Sequence, residues 1–124
     1  MKPSIVFSDR KIEIPVKSGF VARNYDELMY IVYDGVYCYI HCTDKKYRVE
    51  TSLKYLKDNL PRDIFFECNR SAIINIRSIK EYNRFDAVIQ MEDKSEFNLS
   101  RRRVKAFHQI RTPSSASPQS DDEP

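Results

Sequence analysis

Apolar side chains fall on every second position over two stretches of the chain, and each stretch reads as a β-strand with one buried face. In Lys11–Val16 the alternating residues are Ile12, Ile14 and Val16; in 36–42 they are Val36, Cys38, Ile40 and Cys42, with Tyr37, Tyr39 and His41 on the opposite face. Apolar runs at 4–7, 28–33, 47–50, 65–68, 72–74, 82–85, 87–91 and 95–99 predict further strands. Turn chemistry separates several of them. Asp34-Gly35 is a hairpin signal, Asp44-Lys45-Lys46 and Glu92-Asp93-Lys94 are polar breaks, and Asn24 to Glu27 reads as a turn or as one helical turn capped by Asn24. Pro15 cannot donate to a ladder, so it is expected at an edge or a bulge.

The period changes twice. Leu53, Leu56 and Leu60 recur at helical spacing behind Ser52, a good N-cap, and Pro61 ends the run. Val104, Phe107 and Ile110 form a second apolar stripe, which predicts a final helix over 101–110 opened by Ser100. Arg101, Arg102 and Arg103 at its start oppose the helix dipole, at a cost of up to about 1 kcal/mol that an anionic ligand would relieve. The expected fold is therefore mostly β, with small antiparallel sheets, one or two short helices and a C-terminal helix. The 124 residues suit one domain, and eight Tyr, seven Phe and only two Gly agree with strand-rich structure.

Net charge is +3, a weak argument for an anionic partner until its distribution is considered. The last thirteen residues, 112–124, hold Asp121, Asp122 and Glu123 and no Lys or Arg, so without those three acids residues 1–111 carry +6. Residues 101–111 contain Arg101, Arg102, Arg103, Lys105 and Arg111 with no acid. The Pro- and Ser-rich tail at 112–124 is expected to be disordered, for want of apolar surface to bury. Cys38, Cys42 and Cys68 form no Cys-x-x-Cys pair and read as small buried hydrophobes. They follow no signal-like segment, so a reducing cytoplasm is expected. No apolar run reaches the roughly 18 residues that a membrane-spanning helix needs, so no membrane insertion is expected. His41 and His108 are too isolated for a metal site, no cofactor is expected, and no nucleophile, base and oxyanion set appears at a recognisable spacing. An enzyme is the poorest reading.

Two polar clusters at the ends of β-rich runs remain: Asn69-Arg70-Ser71 and Ser100-Arg101-Arg102-Arg103. The planar fork of Arg70 can pair with guanine O6 and N7, or it can tie down a strand end through carbonyls or Glu67. Asn69 can read adenine, or satisfy its own backbone as an Asx-turn. The Ser71 hydroxyl suits a phosphate or a cap, and Asn75 reads as structural. Successive helical residues point about 100° apart, so at most two of the three arginines can face one groove. Arg102 is assigned to bases and Arg101 and Arg103 to phosphates; a solvated helix face is the plainer alternative. Tyr37 and Tyr39 could touch sugar or phosphate, or simply pack.

With these residues in place, the chain resembles the LytTR family of bacterial DNA-binding domains. The resemblance runs from about Asp26 to Ile110. It rests on Asp26, Leu28, Tyr30 and Ile31; on Ser52-Leu53-Lys54-x-Leu56; on Phe66-x-Cys68-x-Arg70-Ser71 followed by Ile74-Asn75 and Ile79; and on Leu99-Ser100-Arg101. It implies a scaffold that inserts loops, not a recognition helix, into successive major grooves. By motif position it implicates Asn69-Arg70, Arg101-Arg102 and the loop from Gly35 to Tyr37. Asn69 stands where the family often has His, and the family's usual N-terminal phosphoacceptor receiver is not expected here. Residues 24–111 would form the family domain, with the strands of 1–23 as part of it.

The leading expectation is a sequence-specific transcription regulator on double-stranded DNA. Its sites would be direct repeats, bound by two copies as a homodimer on DNA, because one small domain offers limited contact area. The alternative is a protein-interaction module controlled by a membrane-bound or soluble antagonist, that is, by a regulatory protein partner.

Overall fold

A computed structural model describes residues 4–111. Three antiparallel sheets carry most of them. The first runs β1-β2-β3, from β1 (Val6–Phe7), β2 (Lys11–Val16) and β3 (Gly19–Asn24). The central sheet has five strands, β4 (Leu28–Tyr33), β5 (Cys38–Cys42), β6 (Lys46–Val49), β7 (Phe65–Asn69) and β8 (Ala72–Asn75), in the order β6-β5-β4-β8-β7. The third is β11-β10-β9, from β9 (Ile79–Asn83), β10 (Val88–Met91) and β11 (Glu96–Asn98). Helix α1 (Leu53–Asn59) joins β6 to β7, and α2 (Val104–Arg111) ends the described chain.

The central sheet separates two apolar cores. Strand alternation sends Cys38, Ile40 and Ile73 to one side, where they meet Ile12 and Ile14 of β2 and Leu56 of α1. It sends Tyr30, Cys68 and Ile74 to the other, where they meet Ile89 and Met91 of β10 and Phe107 of α2. Both helices formed where the apolar spacing predicted. The Ser52 side chain accepts from the Tyr55 N–H at 3.0 Å and caps α1, while Phe107 is fully buried between half-buried Val104 and Ile110. Asn75, fully buried, donates to the carbonyls of Tyr25 (3.3 Å) and Leu28 (2.8 Å) and accepts from the Arg77 N–H (2.8 Å). It is structural, as expected.

Several boundaries differ from the sequence reading. Strand β3 was not anticipated, because Phe20 and Ala22 are exposed and only Val21 and Arg23 are half-buried, so its apolar pattern is inverted. Val36 is not on the buried face of β5; it is 71% exposed, because Asp34 Oδ1 accepts from the N–H groups of both Val36 and Tyr37 and prolongs the turn. The strand expected at 82–85 is β9, which starts earlier, at Ile79, and ends where Asn83 Oδ1 accepts from the Phe85 and Asp86 N–H groups. Pro15 sits in the middle strand of the first sheet, but β1 pairs only with Ile12 and Glu13, so among the described residues that ladder does not extend to the proline. The expected tail, 112–124, lies outside the described residues.

Candidate nucleic-acid interface

The ladder between β7 and β8 shifts between Glu67 and Asn69, which makes Cys68 an extra residue on the edge strand. Such a bulge twists a strand locally and re-aims the residues that follow it. Here it turns Cys68 into the second core, where burial pushes its thiol pKa up to about 12. It also delivers Asn69 to the corner. The Asn69 amide then bridges two segments: Oδ1 accepts from the Ser71 N–H at 2.8 Å, and Nδ2 donates to the Asn98 carbonyl at 2.7 Å.

Backbone bonds extend this lacing to the neighbouring loops. The Ser100 N–H donates to the Cys68 carbonyl (2.9 Å), which fixes the approach to α2 beside the corner. The Tyr33 N–H donates to the Ser71 carbonyl (2.9 Å), which fixes the end of β4 on its other side. From there Asp34, held below the ordinary carboxylate range by the Tyr37 and Val36 N–H groups, shapes the turn into β5. The segments that the resemblance implicates, Gly35 to Tyr37, Asn69-Arg70 and Arg101-Arg102, thus lie on loops at 34–37, 69–71 and 98–102 that are tied to one another.

The cations on these loops are not equivalent. Arg70 is exposed and forms no hydrogen bond or ion pair with any described residue. It borders a cavity of about 520 Å³ with Tyr33, Val36, Tyr37 and Ser52. Arg101 and Arg102 are likewise exposed and unpaired among the described residues. Arg103 is turned inward. Its guanidinium donates to Ser100 Oγ (2.9 Å) and reaches Glu67 Oε1 (3.4 Å), with side chains only 19% and 15% exposed, and Lys57 Nζ meets the same carboxylate oxygen at 3.0 Å. Arg101–Arg103 form a 3-10 turn before α2, so the final helix starts more tightly than expected. Ser100 occupies the N-cap position without capping the backbone, its hydroxyl being taken by Arg103.

Asn69 therefore behaves as the Asx-turn that the sequence allowed, with both ends of its amide used inside the protein. Ser71 lends its backbone to the corner. Tyr37 is half-buried, and the Arg48 guanidinium sits 4.4 Å from its ring centroid. Sequence reasoning missed Glu67 as the anchor of Arg103, since its partner lies 36 positions away, and it missed Arg48. The second could have been found from the alternation of β6, which places Arg48 opposite Tyr39. No group of three or more His, Cys, Asp or Glu side chains among the described residues could hold a metal ion, and no helix among them is long and apolar enough to cross a membrane.

Small antiparallel sheets joined by loops that carry the exposed cations Arg70, Arg101 and Arg102 define a mostly-β class of domain suited to an anionic partner. Family comparison agrees: the family model for the LytTr DNA-binding domain matches residues 18–111, and the chain belongs to the LytTR family. Among solved structures, it is similar to the LytTr DNA-binding domain of a Bacillus cereus protein described as a methyl-accepting/DNA response regulator. That match has a TM-score of 0.71 at 20% identity, over 83% of this chain and 97% of the other, and it shows that the fold is shared. No curated protein sequence matches the chain.

Proposed function

We propose that this LytTR domain is a sequence-specific transcription regulator that reads major-groove bases of double-stranded DNA through the loops at 34–37, 69–71 and 98–102. One observation carries the reading: hydrogen bonds tie the three loops into a fixed frame, yet Arg70, Arg101 and Arg102 on that frame have no partner among the described residues. Exposed cations held on a rigid frame suit a polyanion, whose phosphates set register while base edges supply specificity. Arg70 and Arg102 are the base readers. Arg101 and the Ser71 hydroxyl meet phosphate, and Tyr37 meets sugar or phosphate. Asn69 and Arg103 serve mainly to hold the neighbouring residues in place. The domain acts in the cytoplasm, without a cofactor and without catalysis.

Selection from a random duplex pool, followed by a salt series on the enriched site, tests the reading. Enrichment of one sequence is expected, with log affinity falling against log salt by about 0.9 per phosphate contacted. Arg70→Ala and Arg102→Ala should each lower preference for that site by about 1–3 kcal/mol, while Arg101→Ala weakens all duplexes alike. A pool from which nothing is enriched at low salt overturns the proposal.

A further inference from the structure

Strands β5 and β6 have one face in a core and one face open. Across their ladder, Cys38 pairs with Val49 and Ile40 with Tyr47, and all four are buried. The alternate pairs, Tyr39 with Arg48 and His41 with Lys46, share the other face. On that side the third sheet packs as far as β4, where the rings of Phe97 and Tyr30 are 4.8 Å apart. The strand order leaves β5 and β6 beyond that cover. An open cleft of about 600 Å³ results, with Tyr39, His41 and Lys46 on one side and Ser95, Glu96 and Phe97 on the other.

The open face has a regular chemistry. The Arg48 guanidinium lies 4.4 Å from the Tyr37 ring centroid, the Lys46 ammonium 5.3 Å from that of Tyr39, and the His41 ring stacks on Tyr30 at 4.5 Å. Each ring already has a planar or cationic neighbour, so beyond Tyr37, assigned above to the loop contacts, the groups left to meet a ligand are the two cations. Neither forms an ion pair with a described residue. A cation seated on an aromatic ring keeps its N–H donors while losing part of its rotational freedom before any ligand arrives.

We infer that Lys46 and Arg48 form a second phosphate-contacting surface, which lies along the flank of the duplex engaged by the loops. The inference rests on the DNA reading above. Charge complementarity supports it, and so does continuity: Tyr37, which seats Arg48, ends the turn that begins at Asp34 and borders the Arg70 cavity. The track thus begins where the loop contacts end. Lys46 lies two residues further along β6, about 6.6 Å away.

The test compares the wild-type chain with a Lys46→Ala/Arg48→Ala variant by fluorescence anisotropy, on the selected site with long flanks and on the same site trimmed to its core. On the long duplex the variant should lose about 1.8 from the salt slope, at roughly 0.9 per phosphate, so that its deficit shrinks about twelvefold between about 50 and about 200 mM salt. Preference for the selected sequence should not change, and on the trimmed duplex the two proteins should bind alike. Arg48→Lys, which keeps the charge, should keep the slope. Equal slopes on the long duplex overturn the inference while leaving the loop reading in place. A deficit seen with single-stranded oligonucleotides and not with duplex also overturns it. If the wild type selects no duplex, the loop reading fails and this inference fails with it.

Discussion

Asn69 and Arg70 are adjacent, and the physical difference between them is where their hydrogen bonds go. The Asn69 amide is satisfied by Ser71 and by Asn98, so Asn69→Ala should remove about 1–2 kcal/mol of stability, read as a lower urea midpoint, and weaken every duplex equally. Arg70 has no such bonds, and its truncation should leave the urea midpoint unchanged. Cys68 gives a separate prediction, with pH as the variable. Burial raises its thiol pKa to about 12 and that of Cys42 to about 11, and burial raises the Tyr25 and Tyr30 hydroxyls as well. An unfolded thiol ionises near about 8.5, so above that pH the unfolded state loses protons that the folded state keeps. The protonated thiols thus contribute stability that is fully present below about 8.5 and lost as pH rises toward the folded values. The urea midpoint should fall steadily from about pH 8.5 to about pH 11, and Cys68→Ala should flatten part of that fall.

Edge strand β7 and helix α2 together hold Arg102 in place. Phe107 anchors α2 in the second core between Phe66 and Tyr82, with ring centroids at 5.6 and 5.0 Å. Phe107→Ala should cost about 3–5 kcal/mol, followed by thermal unfolding, and should also erode site preference, because the approach to Arg102 is held by α2 and by the Ser100 bond to Cys68. How far the elements could be read in advance depended on periodicity. The alternation at Cys38, Ile40 and Cys42 and the leucine spacing in α1 are local signals, and they located β5 and α1. Strand β3 carries no such signal, since its exposed Phe20 breaks the alternation. The bulges at Met29 and Cys68 are equally silent, because they are settled by which strand lies alongside. The site followed the same rule. That Arg70 and Arg102 are exposed could be expected from residue type and position, whereas the inward turn of Arg103 depends on Glu67, a partner distant in sequence.

At the scale of the whole molecule, the scarce quantity is contact area. The loop frame belongs to a domain of which 108 residues, 4–111, are described, and it presents three exposed arginines, two of them proposed as base readers. At about 1–3 kcal/mol of discrimination per bidentate contact, two readers supply about 2–6 kcal/mol, which reaches only the lower part of the roughly 4–10 kcal/mol that separates specific from nonspecific binding in typical regulators. A second copy on the same DNA would make up the difference, provided that both copies address the same side of the duplex. B-DNA returns to the same face every 10–10.5 base pairs or so, which makes helical phase the decisive variable. Two copies of the selected half-site in direct repeat, centred about one turn apart, should therefore bind two proteins cooperatively, whereas inserting about five base pairs should abolish the cooperativity and leave the intrinsic affinity of each half-site unchanged. Sedimentation of the protein with each duplex, across a range of concentrations, measures both quantities. Cooperativity that survives the half-turn insertion would place the coupling in flexible contacts between copies and not in a shared face of the DNA; no cooperativity at either spacing would leave the domain to bind its sites one at a time.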